Sequence, residues 1–160
     1  MGTAPDETGQ LMGARPEQPT ALVDRYLRLC EDRDLEAAAG LLAPGVVLVF
    51  PGGQRHTSLA AMAASARGDY RWVRKRRERY FAAPLPDGSG ATAVTSLGTL
   101  YGEDLAGRGF EGIRYADVFV VQDGLIAEQH VYNDLALTGI SRSTAIGAPS
   151  DPPIRTRCRT

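Results

Sequence analysis

Asp117 is the side chain in this 160-residue chain whose setting most demands a chemical explanation. It sits in the run Gly112-Ile113-Arg114-Tyr115-Ala116-Asp117-Val118-Phe119-Val120-Val121, which reads as a β-strand. Alternate side chains of a strand share a face, so Ile113, Tyr115, Asp117, Phe119 and Val121 line up together. A lone carboxylate in an apolar row costs free energy unless it is paired, hydrogen-bonded or protonated. It is therefore either a structural Asp held by a neighbouring hydroxyl or arginine, or a pocket acid whose shifted pKa serves proton transfer.

The hairpin turn after this strand selects the partner. If Asp123-Gly124 is a two-residue type I′ turn, His130 lies opposite Asp117, with Ile126, Glu128 and Tyr132 nearby on that face. A carboxylate that orients an imidazole makes a general-base pair. If Gln122-Asp123-Gly124 is a three-residue loop, Gln129 lies opposite instead, with Val131 and Asn133. That set is a hydrogen-bonding rim for a carbonyl or hydroxyl and lacks a strong base. A one-residue slip turns every side chain over, so one turn separates two sites. His130 also reads as a surface or interface histidine. His56, just before a helix, reads as a pocket-mouth residue or a plain loop histidine. Tyr26 lies on an apolar helical stripe, as a hydroxyl donor or a core tyrosine with a bonded hydroxyl. Trp72, Tyr101, Tyr115 and Phe119 either line a cavity for a flat apolar ligand or pack a core.

Arg71 to Arg79 contains six basic residues in nine. Trp72, Arg74 and Arg76 share one strand face; Val73, Lys75 and Arg77 share the other. The commonest reading is a sheet edge guarded against aggregation. The functional one is an inward arginine, Arg74, that clamps an anionic ligand. Clustered charge attracts nucleic acid, but no recognition helix, RNA-binding aromatic motif or zinc-finger spacing accompanies it, so nucleic acid is disfavoured. Walker loop, dinucleotide fingerprint, Gly-x-Ser-x-Gly elbow and His/Cys cluster are all missing, which argues for chemistry without a metal or other cofactor.

Hydrophobic content of 43% and a net charge of -1 describe an ordinary soluble chain with one core. No apolar run approaches the roughly 20 residues that span a bilayer, so no membrane partner is expected. The start of the chain has no apolar signal core, and a cytoplasmic location is the default expectation. Cys30 and Cys158, the two cysteines, fall in a helix and a tail, which argues against a structural disulfide.

The elements that must position these residues begin after a polar segment, 1–19, that reads as disordered. Thr20 is the expected cap of a helix carrying Leu22, Val23, Tyr26, Leu27 and Cys30 on one stripe. Asp34 caps a short helix through Leu41 and Leu42, and Pro44-Gly45 stops it. Val46 to Phe50 is a short strand covered on both faces. Thr57 or Ser58 caps an Ala-rich helix to about Arg67. Three long strands follow, about Tyr70 to Ala82, Ala91 to Tyr101, and the one bearing Asp117, before a last strand from Leu125 to about Asn133. The domain spans 20–138, and 139–160 is a flexible tail. Helices first and a meander later is an α+β pattern, solved by a curved antiparallel sheet wrapped around three N-terminal helices.

The residues Arg25-Tyr26-Leu27, Asp34-Leu35 to Leu41-Leu42, Val46 to Pro51, Asp117 to Val120 with Asp123 to Ile126, and Val131 to Asp134 resemble the nuclear-transport-factor-2-like superfamily. It includes SnoaL-like polyketide cyclases, ketosteroid isomerases and scytalone dehydratases. The resemblance implies a cystatin-like cone and a homodimer formed through the outer sheet face. It also implies a cofactor-independent cyclase, isomerase or dehydratase (isomerase or lyase chemistry) acting on a small, largely apolar carbonyl or polyketide-like ligand. Set against ketosteroid isomerase, Tyr26 falls on the oxyanion-hole tyrosine, Asp117 on the protonated aspartic acid, and Phe50 on the general base. The last-strand aspartate of the cyclases falls on Val131. The expected catalytic set is thus Asp117, Tyr26 and His130. Phe50, His56, Trp72, Arg74, Tyr101, Tyr115, Phe119, Gln129, Val131 and Asn133 are the expected substrate contacts. With Phe50 and Val131 in place of carboxylates, a non-catalytic ligand-binding or assembly domain is the alternative.

Overall fold

The computed structural model describes residues 17–65 and 70–140. The expected tails, apart from the short pieces next to the domain, and the end of the third helix lie outside the described residues. Helix α1, Pro19–Glu31, starts ahead of Thr20, with Gln18 as its cap. Proline is favoured at a first helical position because its missing N–H has no intrahelical partner there anyway. Leu22, Val23, Tyr26 and Leu27 of α1 are buried, each such burial contributing about 1.5–3 kcal/mol.

Asp34 caps α2, Leu35–Ala39, through an oxygen that accepts from the Ala37 amide at 3.1 Å. The helix stops before Leu41. The expected break at Pro44-Gly45 lies inside strand β1, Leu42–Phe50, as an irregularity with Gly45 at φ 76°. A three-residue strand, β2 (Gln54–His56), folds back on β1 and carries too little pattern to be read from sequence. Helix α3, Leu59–Ser65, is capped by Ser58, whose Oγ accepts from the Ala61 amide.

The remaining strands are β3 (Trp72–Pro84), β4 (Thr92–Glu103), β5 (Gly109–Gln122) and β6 (Leu125–Asn133). Together they make the expected α+β fold: one curved six-stranded sheet, ordered β2-β1-β6-β5-β4-β3, against which the helices pack. It is antiparallel except where β1 and β6 run parallel, since the chain crosses from one end of the sheet to the other between them. On the inner face Tyr26 meets Phe119 edge-on at 6.0 Å, within a core that also holds Leu48, Val94 and Ile126. A second apolar cluster, Leu100, Ile113, Tyr115 and Leu135, sits elsewhere along the sheet.

Two local irregularities decide which residues face inward. The Asp123-Gly124 turn has positive φ at both positions, 52° and 75°, and pairs Gln122 with Leu125, as a two-residue turn should. A bulge at Ala127 then shifts the pairing, so that Val131 lies opposite Asp117 and Gln129 opposite Phe119. Neither expected register holds beyond the turn, because a bulge inserts one residue on one strand only. The other irregularity is in β3 between Arg77 and Arg79. It brings the Arg76 carbonyl within 1.9 Å of where a side chain at Gly98 would begin, which is why β4 carries glycine there.

Candidate functional site

On the inner face, cross-strand neighbours set Tyr80, Ser96, Asp117 and Val131 in one row and Lys75, Leu100 and Ile113 in another. Asp117 is fully buried, and Lys75, whose side chain is 17% exposed, reaches its Oδ2. The Lys75 Nζ also lies 4.5 Å from the centre of the Tyr115 ring, a favourable placement for a cation on a π face. Gln129 Nε2 donates to the same oxygen at 3.5 Å, and the Tyr26 hydroxyl donates to Gln129 Oε1 at 2.8 Å. A carboxylate accepts only, so the amide must turn its NH₂ toward Asp117, and that leaves its oxygen for Tyr26. The Oδ1 atom of Asp117 has no hydrogen-bond partner among the described residues.

The pair is held from outside by α1. β3 is an edge strand, and Glu31 Oε1 accepts from the Lys75 backbone amide at 2.9 Å and from Arg77 Nη1 at 2.7 Å. Arg77 also pairs with Asp24 at 3.0 Å, and Asp24 accepts from the Tyr80 hydroxyl. The basic run is thus largely spent inside this protein: Arg71, Arg74, Lys75, Arg76 and Arg77 each meet an acidic side chain.

A cavity of about 560 Å³ opens beside this network. Tyr26, Lys75, Tyr115 and Gln129 contribute to its wall, with Leu27, Val73 and Leu100 among the apolar groups. Burial, with Cys30 close by, pushes the Tyr26 phenol well above its ordinary range, and burial lifts Tyr115 to about 12 and Cys30 to about 11. These groups stay neutral near neutral pH. Phenols and thiol here give or share protons and do not carry charge, so Lys75 supplies the ammonium beside the buried carboxylate.

Several expected site residues fall elsewhere. Asp117 and Phe119 are fully buried and do not line the cavity, though each touches a residue that does, Asp117 with Lys75 and Phe119 with Tyr26. His130 is on the outer face with Glu128, its Nε2 3.0 Å from Glu128 Oε2, because the Ala127 bulge puts Gln129 and Val131 inward instead. His56 packs against Phe50 at 5.9 Å and reaches Ser65, outside the cavity wall. Phe50, Trp72, Arg74, Tyr101, Tyr115, Gln129, Val131 and Asn133 do line it. Trp72 meets Tyr101 edge-on, on the exposed side of β3, and Arg74 pairs with Asp32 at 3.4 Å.

Lys75 is the residue that sequence reasoning missed. Alternation had placed it with Val73 and Arg77, but nothing said which face of β3 was inner. Its pairing with Leu100, a core residue, decides that.

Tyr26→Phe tests the network. It leaves a buried amide oxygen without its donor and should cost about 1–3 kcal/mol in a urea titration. An unchanged midpoint would mean that Gln129 finds another donor.

The geometry can be set beside known proteins. No curated protein sequence matches the chain. Among solved structures, TerC co-crystallised with polyporic acid is similar with a TM-score of 0.61 at 16% identity, over 74% of this chain and 92% of that one. An NTF2-like protein of unknown function from Burkholderia pseudomallei aligns with a TM-score of 0.59 at 18% identity, again over 74% and 92%. A putative polyketide cyclase from Xanthomonas campestris aligns with a TM-score of 0.54 at 20% identity, over 76% and 96%. At such identities the likeness is one of fold. Sequence goes further: residues 23–129 match the SnoaL-like domain, and with most of the folded region inside that match the chain belongs to the SnoaL-like domain family.

Proposed function

We propose that the chain is an acid–base enzyme, a cyclase or isomerase, acting on a small, largely apolar carbonyl compound of polyketide type. The observation that carries this is the Lys75 ammonium in the cavity wall, anchored on a fully buried Asp117, with Leu27, Val73 and Leu100 among the apolar groups of the same wall. A carbonyl oxygen placed against Nζ would accept a hydrogen bond that strengthens as negative charge develops on that oxygen. Such preorganised donors in a site poor in water are commonly the largest single term in catalysis. Asp117 holds the ammonium in place, and Gln129 and Tyr26 hold Asp117.

Among the described residues Glu31 is the one carboxylate in the wall, and its Oε1 is already engaged by Arg77 and by the Lys75 amide. Oxyanion stabilisation with solvent taking the proton suits a carbon acid already acidified by a second group, an aryl ring or the second carbonyl of a polyketide unit. The similar fold of TerC, co-crystallised with polyporic acid, supports a small-molecule ligand.

The test is proton exchange. 2-Tetralone in D₂O should lose its α-proton signals faster with the protein than without it, followed by NMR. Binding of the ketone with no acceleration would favour the second reading, a non-catalytic binding domain. That reading draws on Phe50 and Val131, apolar where relatives carry carboxylates. Either reading includes a homodimer through the outer sheet face, where Tyr132 and Phe81 are exposed; a monomeric mass by light scattering at micromolar concentration would remove it.

A further inference from the structure

Charge around the cavity is unevenly matched. Among the described residues four cationic side chains line it, Arg33, Arg71, Arg74 and Lys75, against one carboxylate, Glu31. Four of these five groups hold partners: Arg71 with Glu103 at 2.7 Å, Arg74 with Asp32, Lys75 with Asp117, and Glu31 with Arg77. Arg33 alone has no side-chain partner among the described residues. Its two acidic neighbours are occupied elsewhere, Asp32 on Arg74 and Asp34 on the Ala37 amide that it caps.

The place of Arg33 in the chain makes this more pointed. It follows the end of α1 with φ 63°, the left-handed conformation that glycine adopts most cheaply at a helix end. The chain here carries a long cationic side chain, and that side chain lies on the cavity. The same cavity carries apolar groups, Leu27, Leu35 and Met62 among them. Arg33 is exposed where it meets the cavity, so beside a neutral apolar ligand the guanidinium is solvated by water alone and faces no counter-charge. A ligand with an anionic end would supply it through the paired N–H donors that fit a carboxylate.

We propose that the cavity takes an amphipathic organic anion, its carboxylate or acidic enolate seated on Arg33 and its apolar body directed toward Lys75. This rests on the reading of the cavity as a small-molecule site and names the chemical class of the ligand.

The probes are naphthalene-2-carboxylate and its neutral amide, naphthalene-2-carboxamide, titrated by fluorescence at low salt. The wild-type protein should bind the carboxylate about tenfold more tightly than the amide, and the preference should shrink as salt is raised. Arg33→Gln should bring the ratio to about one while leaving affinity for the amide unchanged, and Arg33→Lys should keep part of the preference.

A wild-type ratio of about one would overturn the proposal and leave the small-molecule site standing. So would a preference that survives Arg33→Gln and disappears in the double variant Lys75→Met/Asp117→Val, since the anion would then sit on Lys75. If neither probe binds at millimolar concentration, the cavity reading falls together with the proposal.

Discussion

Lys75→Met on its own is expected to lower the free energy of unfolding by about 3–5 kcal/mol, because it strands a buried carboxylate. Asp117 is fully buried, its Oδ1 has no partner among the described residues, and Gln129 approaches Oδ2 at the long distance of 3.5 Å. With the ammonium gone, one weak amide contact would have to compensate a desolvated charge. Replacing both members together removes the charge instead of orphaning it. The double variant Lys75→Met/Asp117→Val should therefore lie within about 2 kcal/mol of the parent. Urea titrations of the four proteins in the cycle give the coupling energy directly. A single variant as stable as the parent would show that the pair contributes little and that Asp117 tolerates burial by other means.

The same double variant should fold and yet lose the chemistry. Exchange of the 2-tetralone α-proton is expected to fall by about 10²-fold, the usual cost of removing one oxyanion donor. The variant also keeps the cavity walls, since Leu27, Val73, Leu100 and Tyr115 are untouched. Binding of the ketone should change much less than the rate. Retention of the parental exchange rate in a folded double variant would remove Lys75 and Asp117 from the mechanism at one stroke. The two experiments separate what the pair does for the fold from what it does for the reaction, because stability and exchange move in different proteins of the cycle.

The pattern of elements was largely open to reading from the chain. The apolar stripe of α1, the Asp34 cap, the period-two face of β5 and the bounds of β6 all rest on local rules, where each residue's neighbours in sequence decide its conformation. So did the core of the site. An Asp in the row Ile113, Tyr115, Phe119 and Val121 had to have a partner, and Tyr26, on the buried stripe of a helix, had to have its hydroxyl bonded.

What local rules left open was the identity of the partners, and each miss has a physical cause. The chain leaves the turn at Asp123-Gly124 open between two and three residues; it has two, and a single extra residue at Ala127 realigns β6 and sends His130 outward. Bulges of this kind leave almost no mark on composition. The basic run offered two faces of equal standing, Arg74 with Arg76 or Lys75 with Arg77. Alternation says which side chains go together, while only docking against β4 and α1 says which set is inside. That a buried carboxylate would have to be paired, hydrogen-bonded or protonated was thus dictated by its neighbours along the strand. That the cation is Lys75, forty-two positions earlier on the edge strand, followed from long-range pairing, which no window of sequence contains.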